Sequence, residues 1–383
     1  MVHVFIVGSK GIPAQYGGFE TFVEELTKGK QSKDIMYHVS CMNNDEKHFE
    51  HNGADCFNVK VPLPGAPGRI FHVGLVLQQV EQWAKAHPQE KVIVYILGCR
   101  IGPLLIPHSK KLHALGAKIY CNPDGLKWKR SKWSAPAKAF LRYCEKCLVE
   151  NSDLSICDSV NIEKYVKETY GSRVKDTTYI AYGAYVGRST CSEEKLQEWY
   201  SKFGLAKDSY YLIVGRFVPE NNYEIMITEF MRSKTKRDLV IITNVEKNKF
   251  YKELAEKTGF ENDKRIKFVG TVYDQQLLKK IREEAYGYIH GHEVGGTNPS
   301  LLEALASTRA NLLLDVGFNK EVGKDGALYW SKDSRNLAQL IDHTDTLPNN
   351  EMKKIDSDST QRIKDAFRWV DIVKQYEDVF VQR

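Results

Sequence analysis

One stretch in the second half of the chain combines residue types that bind an anion. HGHEVGGTNPSLLEALA, residues 290–306, brings two histidines and a glutamate before a Gly-Gly-Thr-Asn loop, and an apolar helical pattern follows. Asn298 is a favourable N-cap and Pro299 suits the first helical position. The N–H groups of residues 295–298, together with the helix dipole, are therefore predicted to hold an anion.

Two charged residues fit the same ligand. Arg216 follows the apolar run YYLIV with one glycine between them, and a cation just beyond a strand end can face a phosphate. Glu303 lies one turn inside the predicted helix, close to the phosphates, where a carboxylate makes sense if it accepts hydrogen bonds from sugar hydroxyls. A diphosphate joined to a ribose meets both demands. The alternatives are a surface arginine and a plain helix-surface glutamate.

GSKGIPAQYGGFET, residues 8–21, follows the first apolar run. It is neither a G-x-G-x-x-G nor a Walker A loop, which argues against dinucleotide and P-loop functions. Gly17 and Gly18 allow close approach of a backbone, and the loop is longer than a simple connection needs. We predict a ligand loop; an ordinary strand-to-helix connection is the alternative.

Three polar residues of the first half are candidates for contact with an acceptor. Asp124 and Asp158 each come soon after a strand, and Tyr182 precedes the predicted domain boundary. We predict that the two carboxylates position or polarise an acceptor hydroxyl, with Tyr182 nearby. The alternative for Asp158 is that it caps the helix that begins near Val160.

The net charge of +6 is concentrated in one segment. Residues 110–150 carry ten Lys and Arg against three acidic residues, and DGLKWKRSKWSAPAKAFLRYCEKC interleaves the cations with aromatic residues. This mixture suits an anionic membrane surface. No nucleic-acid-binding motif accompanies it, so we expect no nucleic-acid partner; a solvated basic helix is the alternative.

The elements that position these residues alternate along the chain. Short β-branched or aromatic runs are separated by helical patterns, which indicates parallel sheets covered on both faces. The pattern restarts near residue 185. We predict an α/β architecture with two Rossmann-like domains, 1–185 and 186–360, facing each other across a cleft. A helical pattern in the final segment, 361–383, is predicted to return to the first domain. Strands are expected at Val2–Val7, 37–41, 56–61, Lys91–Leu97, 118–121, Leu154–Cys157, Tyr210–Val214, 239–243, 266–269, 287–289 and Asn311–Leu314.

The totals exclude several classes of protein. A length of 383 residues favours two domains, and no apolar run reaches the ~20 residues of a membrane span. The first residues lack the basic flank of a signal peptide, so we expect a cytoplasmic protein. Eight unevenly spaced cysteines with a single C-x-x-C pair, Cys144 and Cys147, predict reduced thiols and no zinc site.

The donor motifs resemble those of GT-B glycosyltransferases of family 4 over the whole chain. GIPAQYGGFET, NPDGLKWKRSKW and the 290–306 stretch are similar to a subgroup that includes bacterial β-1,4-rhamnosyltransferases of the streptococcal type, and FRWVDIVKQYEDVF resembles the family's returning helix. The resemblance implies a GT-B fold and transfer with retained anomeric configuration. It also implies that no protein nucleophile is needed, since the departing phosphate takes the acceptor's proton.

Three positions depart from the family pattern. Glu220, Asn221 and Asn222 stand where a lysine is common, so a second phosphate-binding cation would have to come from elsewhere, such as Lys10 or Arg100. The spacing from Glu293 to Glu303 is longer than usual. Lys127 replaces a glutamate of the subgroup and is expected to carry no chemistry.

The resemblance implies transfer of L-rhamnose from dTDP-β-L-rhamnose to polyprenyl-diphosphate-linked GlcNAc at the inner face of the cell membrane. The alternatives are another nucleotide sugar, a GT-B sugar-nucleotide epimerase and an inactive nucleotide-sugar-binding protein; self-association as a homodimer stays open. No Asp-x-Asp pair sits in a plausible metal loop, so we predict metal independence and no cofactor.

The predicted site residues fall into three sets. The catalytic set is Asp124, Asp158, Tyr182 and Arg216. The donor-binding set is Gly17, Gly18, Arg216, Asn221, His290, Glu293, Gly295, Gly296, Thr297, Asn298 and Glu303. The acceptor and membrane set is Tyr16, Phe19, Glu20, Trp128, Lys129, Arg130, Lys132 and Trp133.

Overall fold

A computed structural model describes residues 1–15, 17–43, 45–61, 65–130, 133–245 and 248–382. The chain forms two compact units: Met1–Tyr182 with Trp369–Arg383, and Gly183–Arg368. Tyr16 and Lys132, both predicted to belong to the acceptor and membrane set, lie outside the described residues.

The described part of the first unit is built on a sheet of eight strands in the order β3-β4-β2-β1-β5-β6-β7-β8. These strands are β1 (Val2–Val7), β2 (Ile35–Met42), β3 (His48–His51), β4 (Ala54–Val59), β5 (Lys91–Leu97), β6 (Lys118–Asn122), β7 (Leu154–Cys157) and β8 (Thr177–Tyr179). Its helices are α1 (Gly18–Lys28), α2 (Gly65–Ala86), α3 (Leu105–Ala114), α4 (Ala135–Glu150) and α5 (Val160–Tyr170). Most strand residues are buried, as expected for a sheet covered on both faces.

The described part of the second unit is built on a six-stranded parallel sheet in the order β11-β10-β9-β12-β13-β14. Its strands are β9 (Tyr210–Val214), β10 (Asp238–Ile242), β11 (Ile266–Gly270), β12 (Gly287–His290), β13 (Asn311–Leu314) and β14 (Leu328–Trp330). Its helices are α6 (Glu193–Phe203), α7 (Tyr223–Arg232), α8 (Lys249–Thr258), α9 (Gln275–Glu283), α10 (Pro299–Leu305), α11 (Gly317–Gly323), α12 (Asn336–Asp345) and α13 (Asn349–Ala366).

The α/β fold class is confirmed, and the expectation of purely parallel sheets is wrong at one strand. β3 pairs antiparallel with β4, with His48 opposite Phe57. The strand HFEH alternates exposed and half-buried residues at the sheet edge, and its polar composition hid it from the sequence pattern.

The returning helix begins later than the sequence pattern indicated. Residues 361–366 continue α13 in the second unit. That helix ends at Ala366 with Phe367 as its C-cap, and Arg368 then pairs with Ala184. Helix α14 (Trp369–Gln382) then belongs to the first unit. There Tyr376 is fully buried beside Tyr95, with 3.4 Å between their hydroxyl oxygens. One continuous apolar helical pattern spans both helices, so the break was not visible in it.

Within the described residues, no helix is both long and apolar enough to cross a membrane.

Candidate functional site

The second unit holds Arg216 just beyond the carboxyl end of β9. Its side chain is exposed, and its backbone carbonyl accepts a hydrogen bond of 2.8 Å from Asn221 Nδ2. Asn221 ends a single 3₁₀ turn, Pro219–Asn221, after which Asn222 adopts a left-handed conformation (φ 57°) and α7 begins. Asn221 therefore fixes the tight turn that carries the arginine.

This turn is tied to the loop after β12. Asn221 Oδ1 lies 2.7 Å from His292 Nδ1, and Asn222 Nδ2 donates to the carbonyl of Gly291 at 2.8 Å. A Cβ at Gly291 would stand 2.6 Å from the carbonyl oxygen of Asn221, so only glycine allows this approach. The Arg216 turn and the 290–298 loop, predicted separately, form one structural element.

Glu293 is held by a cation that the sequence analysis missed. Lys332 Nζ lies 2.6 Å from Glu293 Oε2, and Asn222 Nδ2 lies 3.2 Å from the same oxygen. Lys332 follows β14 by two residues. Because β14 was not predicted from the sequence, the position of Lys332 at the carboxyl edge of the sheet could not be predicted either. The predicted sugar contact of Glu293 stays a prediction.

The cap of α10 is confirmed. Asn298 Oδ1 accepts the backbone N–H groups of Ser300 and Leu301 at 2.9 and 3.3 Å, and Pro299 occupies the first helical position. In the preceding loop Gly295 has φ 141°, a conformation that favours glycine. Thr297 is buried and Gly296 is buried beside it.

His290 is buried at the end of β12. Burial, followed by the neighbouring His292, holds the pKa of His290 well below its ordinary value, so the imidazole is neutral near pH 7. Its Nδ1 lies 3.4 Å from the hydroxyl of Tyr288. A neutral ring can hydrogen-bond a sugar hydroxyl, and the predicted role in sugar binding is untested.

Glu303 pairs with a second residue that the sequence analysis missed. Arg282 NH2 donates to Glu303 Oε2 at 2.7 Å, and the arginine side chain is only 3% exposed against 36% for the glutamate. Arg282 NH2 also lies 3.2 Å from Ser300 Oγ, at the start of α10. The sequence did contain a sign of this pair: Arg282 lies one turn after Leu278, on the apolar face of α9, where an arginine needs a partner.

In the first unit, two carboxylates hold the loop that precedes α1. Glu20 Oε1 accepts the backbone N–H of Lys10 at 2.8 Å, and Glu24 Oε2 accepts that of Ala14 at 2.9 Å. A Cβ on Gly17 would stand 1.9 Å from Glu20 Oε2. Glu20, predicted to contact the acceptor, therefore also shapes this loop, while Gly18 faces open space.

Asp124 lies after β6 within a group of cations. Its Oδ2 accepts a 2.8 Å bond from Lys127 Nζ, a side chain only 8% exposed. Burial would raise the pKa of Asp124, but the charges of Lys127, Arg130 and Arg100 outweigh it and hold that pKa at about 2. Asp124 is ionised at neutral pH, and Lys127 is its buried partner rather than a surface cation of the basic segment.

Phe19 and Asp124 meet at one glycine. A Cβ on Gly98 would lie 3.3 Å from the ring of Phe19 and 3.7 Å from the Cβ of Asp124, and Gly98 has φ 83°. The first turn of α1 and the turn after β6, both predicted to contact the acceptor, are thus neighbours in the first unit.

Asp158 and Tyr182 are brought together and buried. Burial raises the pKa of Tyr182 well above 10, and the charge of Asp158 and a hydrogen bond to it raise it further. Ser159, not Asp158, caps α5, since Ser159 Oγ accepts the backbone N–H of Asn161 at 3.2 Å. The N-cap position of α5 therefore belongs to Ser159. The two groups are 6% and 5% exposed, so an acceptor would reach them only through a small exposed area.

The basic segment exposes aromatic side chains beside its cations. Phe140 and Tyr143 on α4 are about half exposed. Lys129 and Arg142 lie over the ring of Trp128, at 5.6 and 5.3 Å from its centroid. Trp133 and Arg130 are half-buried. The segment presents cations and apolar rings on one stretch of surface.

Across the described ranges, no group of three or more His, Cys, Asp or Glu side chains is placed to hold a metal ion. Cys144 and Cys147 lie buried on α4 as free cysteines. Metal independence itself stays a prediction.

Comparison with protein families assigns a class to the second unit. Residues 197–364 match the family described as glycosyl transferases group 1, and residues 1–185 match a domain of unknown function, DUF1972. The 197–364 match covers Arg216, the 290–298 loop and Glu303. The predicted enzyme class, a glycosyltransferase, is confirmed.

Solved structures share the fold along the whole length. Sucrose-phosphate synthase from Thermosynechococcus elongatus superposes with a TM-score of 0.75 at 15% identity, over 100% of this chain and 98% of that one. Anabaena Alr3699/HepE in complex with UDP and glucose also gives 0.75 at 15% identity, over 100% of both chains. The E. coli trehalose-6-phosphate protein bound with UDP-2-fluoro glucose gives 0.72 at 12% identity, over 100% and 99%.

These likenesses establish the GT-B fold. The fold is GT-B, and residues 197–364 match the glycosyl transferases group 1 family. Comparison with curated proteins gives no match.

Proposed function

We propose that this enzyme transfers L-rhamnose, with retention of configuration, from dTDP-β-L-rhamnose to a polyprenyl-diphosphate-linked GlcNAc in cell-wall polysaccharide synthesis. The donor is held by the second unit. The acceptor is bound by the first unit, whose residues were predicted for that role. The donor sugar and acceptor derive from the resemblance of three sequence motifs to rhamnosyltransferases.

One observation carries the donor part of the proposal. Asn221 joins the Arg216 turn to the 290–298 loop through hydrogen bonds of 2.8 and 2.7 Å. The backbone turn that carries Arg216 and the glycine-containing loop with its backbone N–H groups are thereby held in fixed relation. Preorganised donors of this kind stabilise the charge that develops on a leaving diphosphate.

Lys332 supplies charge where the family lysine is missing. Lys332 is linked to the 290–298 loop by its ion pair with Glu293. The two cations suggested earlier for this role, Lys10 and Arg100, belong to the first unit. We propose that Lys332 contributes to the potential around the donor phosphates. With an arginine, a lysine and backbone N–H groups near the diphosphate, the reaction needs no metal ion.

On the acceptor side, Asp124 is ionised and cannot donate a proton at neutral pH, because its pKa is about 2. It can accept a hydrogen bond from an acceptor hydroxyl and orient it. Arg130 and Arg100 add positive charge beside it and suit the acceptor diphosphate. The basic aromatic segment is proposed to rest on the anionic inner face of the membrane, where a lipid-linked acceptor is found.

A different donor is the second candidate. Anabaena HepE was solved with UDP and glucose, and the E. coli neighbour with UDP-2-fluoro glucose. Sequence identity to both proteins is at most 15%, so these ligands do not assign a uridine donor to this chain. They are a reason to include uridine donors in any assay.

Nucleoside diphosphate release, measured with and without a short-chain lipid-diphosphate GlcNAc acceptor, separates the functional classes. We expect acceptor-dependent release from dTDP-β-L-rhamnose that EDTA leaves unchanged. An epimerase would act on the donor without acceptor, and an inactive binding protein would release nothing. Loss of activity in EDTA with recovery in magnesium would contradict the metal-independent mechanism.

A further inference from the structure

We propose that Arg69, Arg100 and Arg130 form a binding site for a diphosphate group in the first unit, and that the diphosphate of the lipid-linked acceptor occupies it. The occupant rests on the proposed function, whereas the site rests on the arrangement of the three arginines. Arg69 lies on α2, outside the sequence motifs described above, and was not among the predicted site residues.

Two of the arginines lie near the Asp124 carboxylate. Arg100 comes two residues after Gly98, whose Cβ would stand 3.7 Å from Asp124 Oδ2. Arg130 directly follows the short turn in which Lys127 Nζ lies 2.8 Å from the same oxygen. The charges of Arg100 and Arg130 both act on Asp124, so the two side chains meet on one side of the sheet, at the carboxyl ends of β5 and β6.

Arg69 joins this group from α2. It precedes Val73 by four residues, so the two lie on the same face of the helix. Val73 belongs to the same buried cluster as Cys99 and Ile101. These two residues flank Arg100 in the chain, and α2 packs against their turn. Arg69 is therefore on the side of α2 that faces Arg100, and its charge acts on that guanidinium.

The three guanidinium groups have no ion pair or hydrogen bond with any residue that the structure describes, although all three side chains are half-buried. Burial lowers the pKa of Arg100; the charge of Asp124 opposes this effect without offsetting it, and the charge of Arg69 adds to it. Asp124 is already paired with Lys127. A half-buried cation without a partner has lost hydration that a bound anion can replace.

Half-buried arginines of the second unit are arranged differently. Those that the structure describes all have protein partners: Arg237 pairs with Asp345, Arg265 with Asp263 and Arg309 with Asp208, and Arg362 donates to the carbonyls of Glu321 and Val322. Among the described residues, half-buried arginines without such a partner are confined to the group around Asp124. This contrast indicates a ligand rather than a general property of the chain.

A diphosphate fits three arginines better than a single phosphate does. A guanidinium binds two phosphate oxygens through its planar fork. A phosphodiester has two non-bridging oxygens and a diphosphate diester has four, so the diphosphate can engage several forks at different oxygens. Lys127 neutralises Asp124 and thereby removes the repulsion that this carboxylate would exert on the phosphates.

Calorimetric titration of the full chain with two acceptor analogues tests the site. One is a short-chain lipid-diphosphate GlcNAc, and the other carries the same lipid and sugar on a single phosphate. The unmodified enzyme is expected to bind the diphosphate compound at least about tenfold more tightly. Arg69→Gln and Arg100→Gln should each weaken its binding by at least about tenfold, the effect of losing one charge-assisted contact, and leave the affinity for dTDP unchanged.

Thermal unfolding separates a binding role from a structural one. Arg69→Gln and Arg100→Gln should unfold at no lower temperature than the unmodified chain, because each removes an unpaired cation from a group of like charges. Inorganic diphosphate should raise the unfolding temperature of the unmodified chain more than that of either variant. Arg173→Gln is the matched control: Arg173 belongs to the same unit, pairs with Glu150 at 3.0 Å and is half exposed. It should change neither acceptor affinity nor the response to inorganic diphosphate.

The outcomes separate this inference from the function on which its occupant rests. Unchanged acceptor affinity in both variants would overturn the site and leave the proposed transfer reaction standing. A loss of affinity confined to dTDP would assign the arginines to the nucleotide and overturn the inference as well. Equal binding of the two lipid compounds to the unmodified enzyme would show that the second phosphate is not bound here. If inorganic diphosphate bound through these arginines and neither lipid compound did, the site would stand and the proposed acceptor would be wrong.

Discussion

At the scale of single residues, most charges near the candidate site have a fixed partner. Asp124 pairs with Lys127, Glu293 with Lys332 and Glu303 with Arg282. These pairs fix where each carboxylate lies, and for Asp124 the neighbouring cations also favour the ionised form. The side chain of Arg216 is exposed, and we propose it as the cation that meets the donor diphosphate.

Replacing Arg216 with alanine removes the charge proposed to stabilise the leaving diphosphate. We expect kcat/KM to fall by about 100-fold, the usual effect of losing one preorganised donor, with unfolding temperature unchanged. Steady-state kinetics with the preferred donor provides the measurement. Arg335→Gln, an exposed arginine in the same unit, is the control. A loss below about threefold would place Arg216 outside the donor site.

The depressed pKa of Asp124 has a defined consequence for stability. Its value is about 2 in the folded chain against 3.8 ordinarily, so the folded state favours the carboxylate. The contribution is present above pH 4 and is lost as pH falls through 2. We expect Asp124→Asn to lower the free energy of unfolding by about 2 kcal/mol at pH 7.

Urea unfolding at several pH values measures that difference, which should narrow steadily from pH 4 downwards. Asp176→Asn, at an exposed position in the same unit, is the control and should show little change. A difference for Asp124→Asn that grew on acidification would mean that its charge is not stabilised by Lys127.

At the scale of elements, the sequence predicted the strands with continuous apolar runs. It did not predict short edge strands or ion pairs between residues far apart in the chain. Eleven predicted strands are present because buried parallel strands are continuous apolar runs. The missed strands β3, β8 and β14 are short and polar or lie at a sheet edge. The sequence did not indicate the roles of Arg282 and Lys332, because their partners lie 21 and 39 residues away in the chain. Only the fold brings each pair together.

The loop before α1 offers a matched pair of glycines. Gly17→Ala adds a Cβ that would stand 1.9 Å from Glu20 Oε2, at a backbone φ of 135°. We expect a loss of about 1–3 kcal/mol in the free energy of unfolding, because alanine is strained at this φ and the Glu20 carboxylate has to move. Gly18→Ala meets nothing within 4 Å and should be neutral or slightly stabilising. Chemical denaturation compares the two; equal effects would contradict the loop geometry.

The basic aromatic segment predicts binding to anionic membranes. Neutralising Lys129, Arg130, Lys138 and Arg142 to glutamine should reduce affinity for vesicles containing anionic lipid by at least about tenfold, since each cation near such a surface contributes about 1 kcal/mol. Lys127 is left intact because it is buried against Asp124. Vesicle sedimentation provides the readout.

The control for that experiment is a variant in which four cations elsewhere on the first unit are neutralised. Lys164, Lys167, Arg173 and Lys175 are each at least half exposed, and their neutralisation should leave vesicle binding nearly unchanged. If both quadruple variants lost affinity equally, net charge rather than the basic segment would govern binding.

At the scale of the whole molecule, fold and chemistry answer different questions. Residues 197–364 match the glycosyl transferases group 1 family, and solved structures as different as a sucrose-phosphate synthase and Anabaena HepE share the GT-B fold at 15% identity. The sugar and the acceptor are decided by a few side chains, as is general for widely used folds. The first unit, which carries DUF1972, holds the residues proposed for the acceptor.

The choice between dTDP-β-L-rhamnose and UDP-glucose tests the central claim most directly. Each donor is incubated with the same short-chain lipid-diphosphate GlcNAc, and the mass of the lipid product is measured by mass spectrometry. The Arg216→Ala variant, with its reduced activity, is the reference. We predict that the acceptor gains one deoxyhexose from dTDP-β-L-rhamnose and nothing from UDP-glucose. A lipid that gains a hexose from UDP-glucose, and no deoxyhexose, would contradict the proposed function.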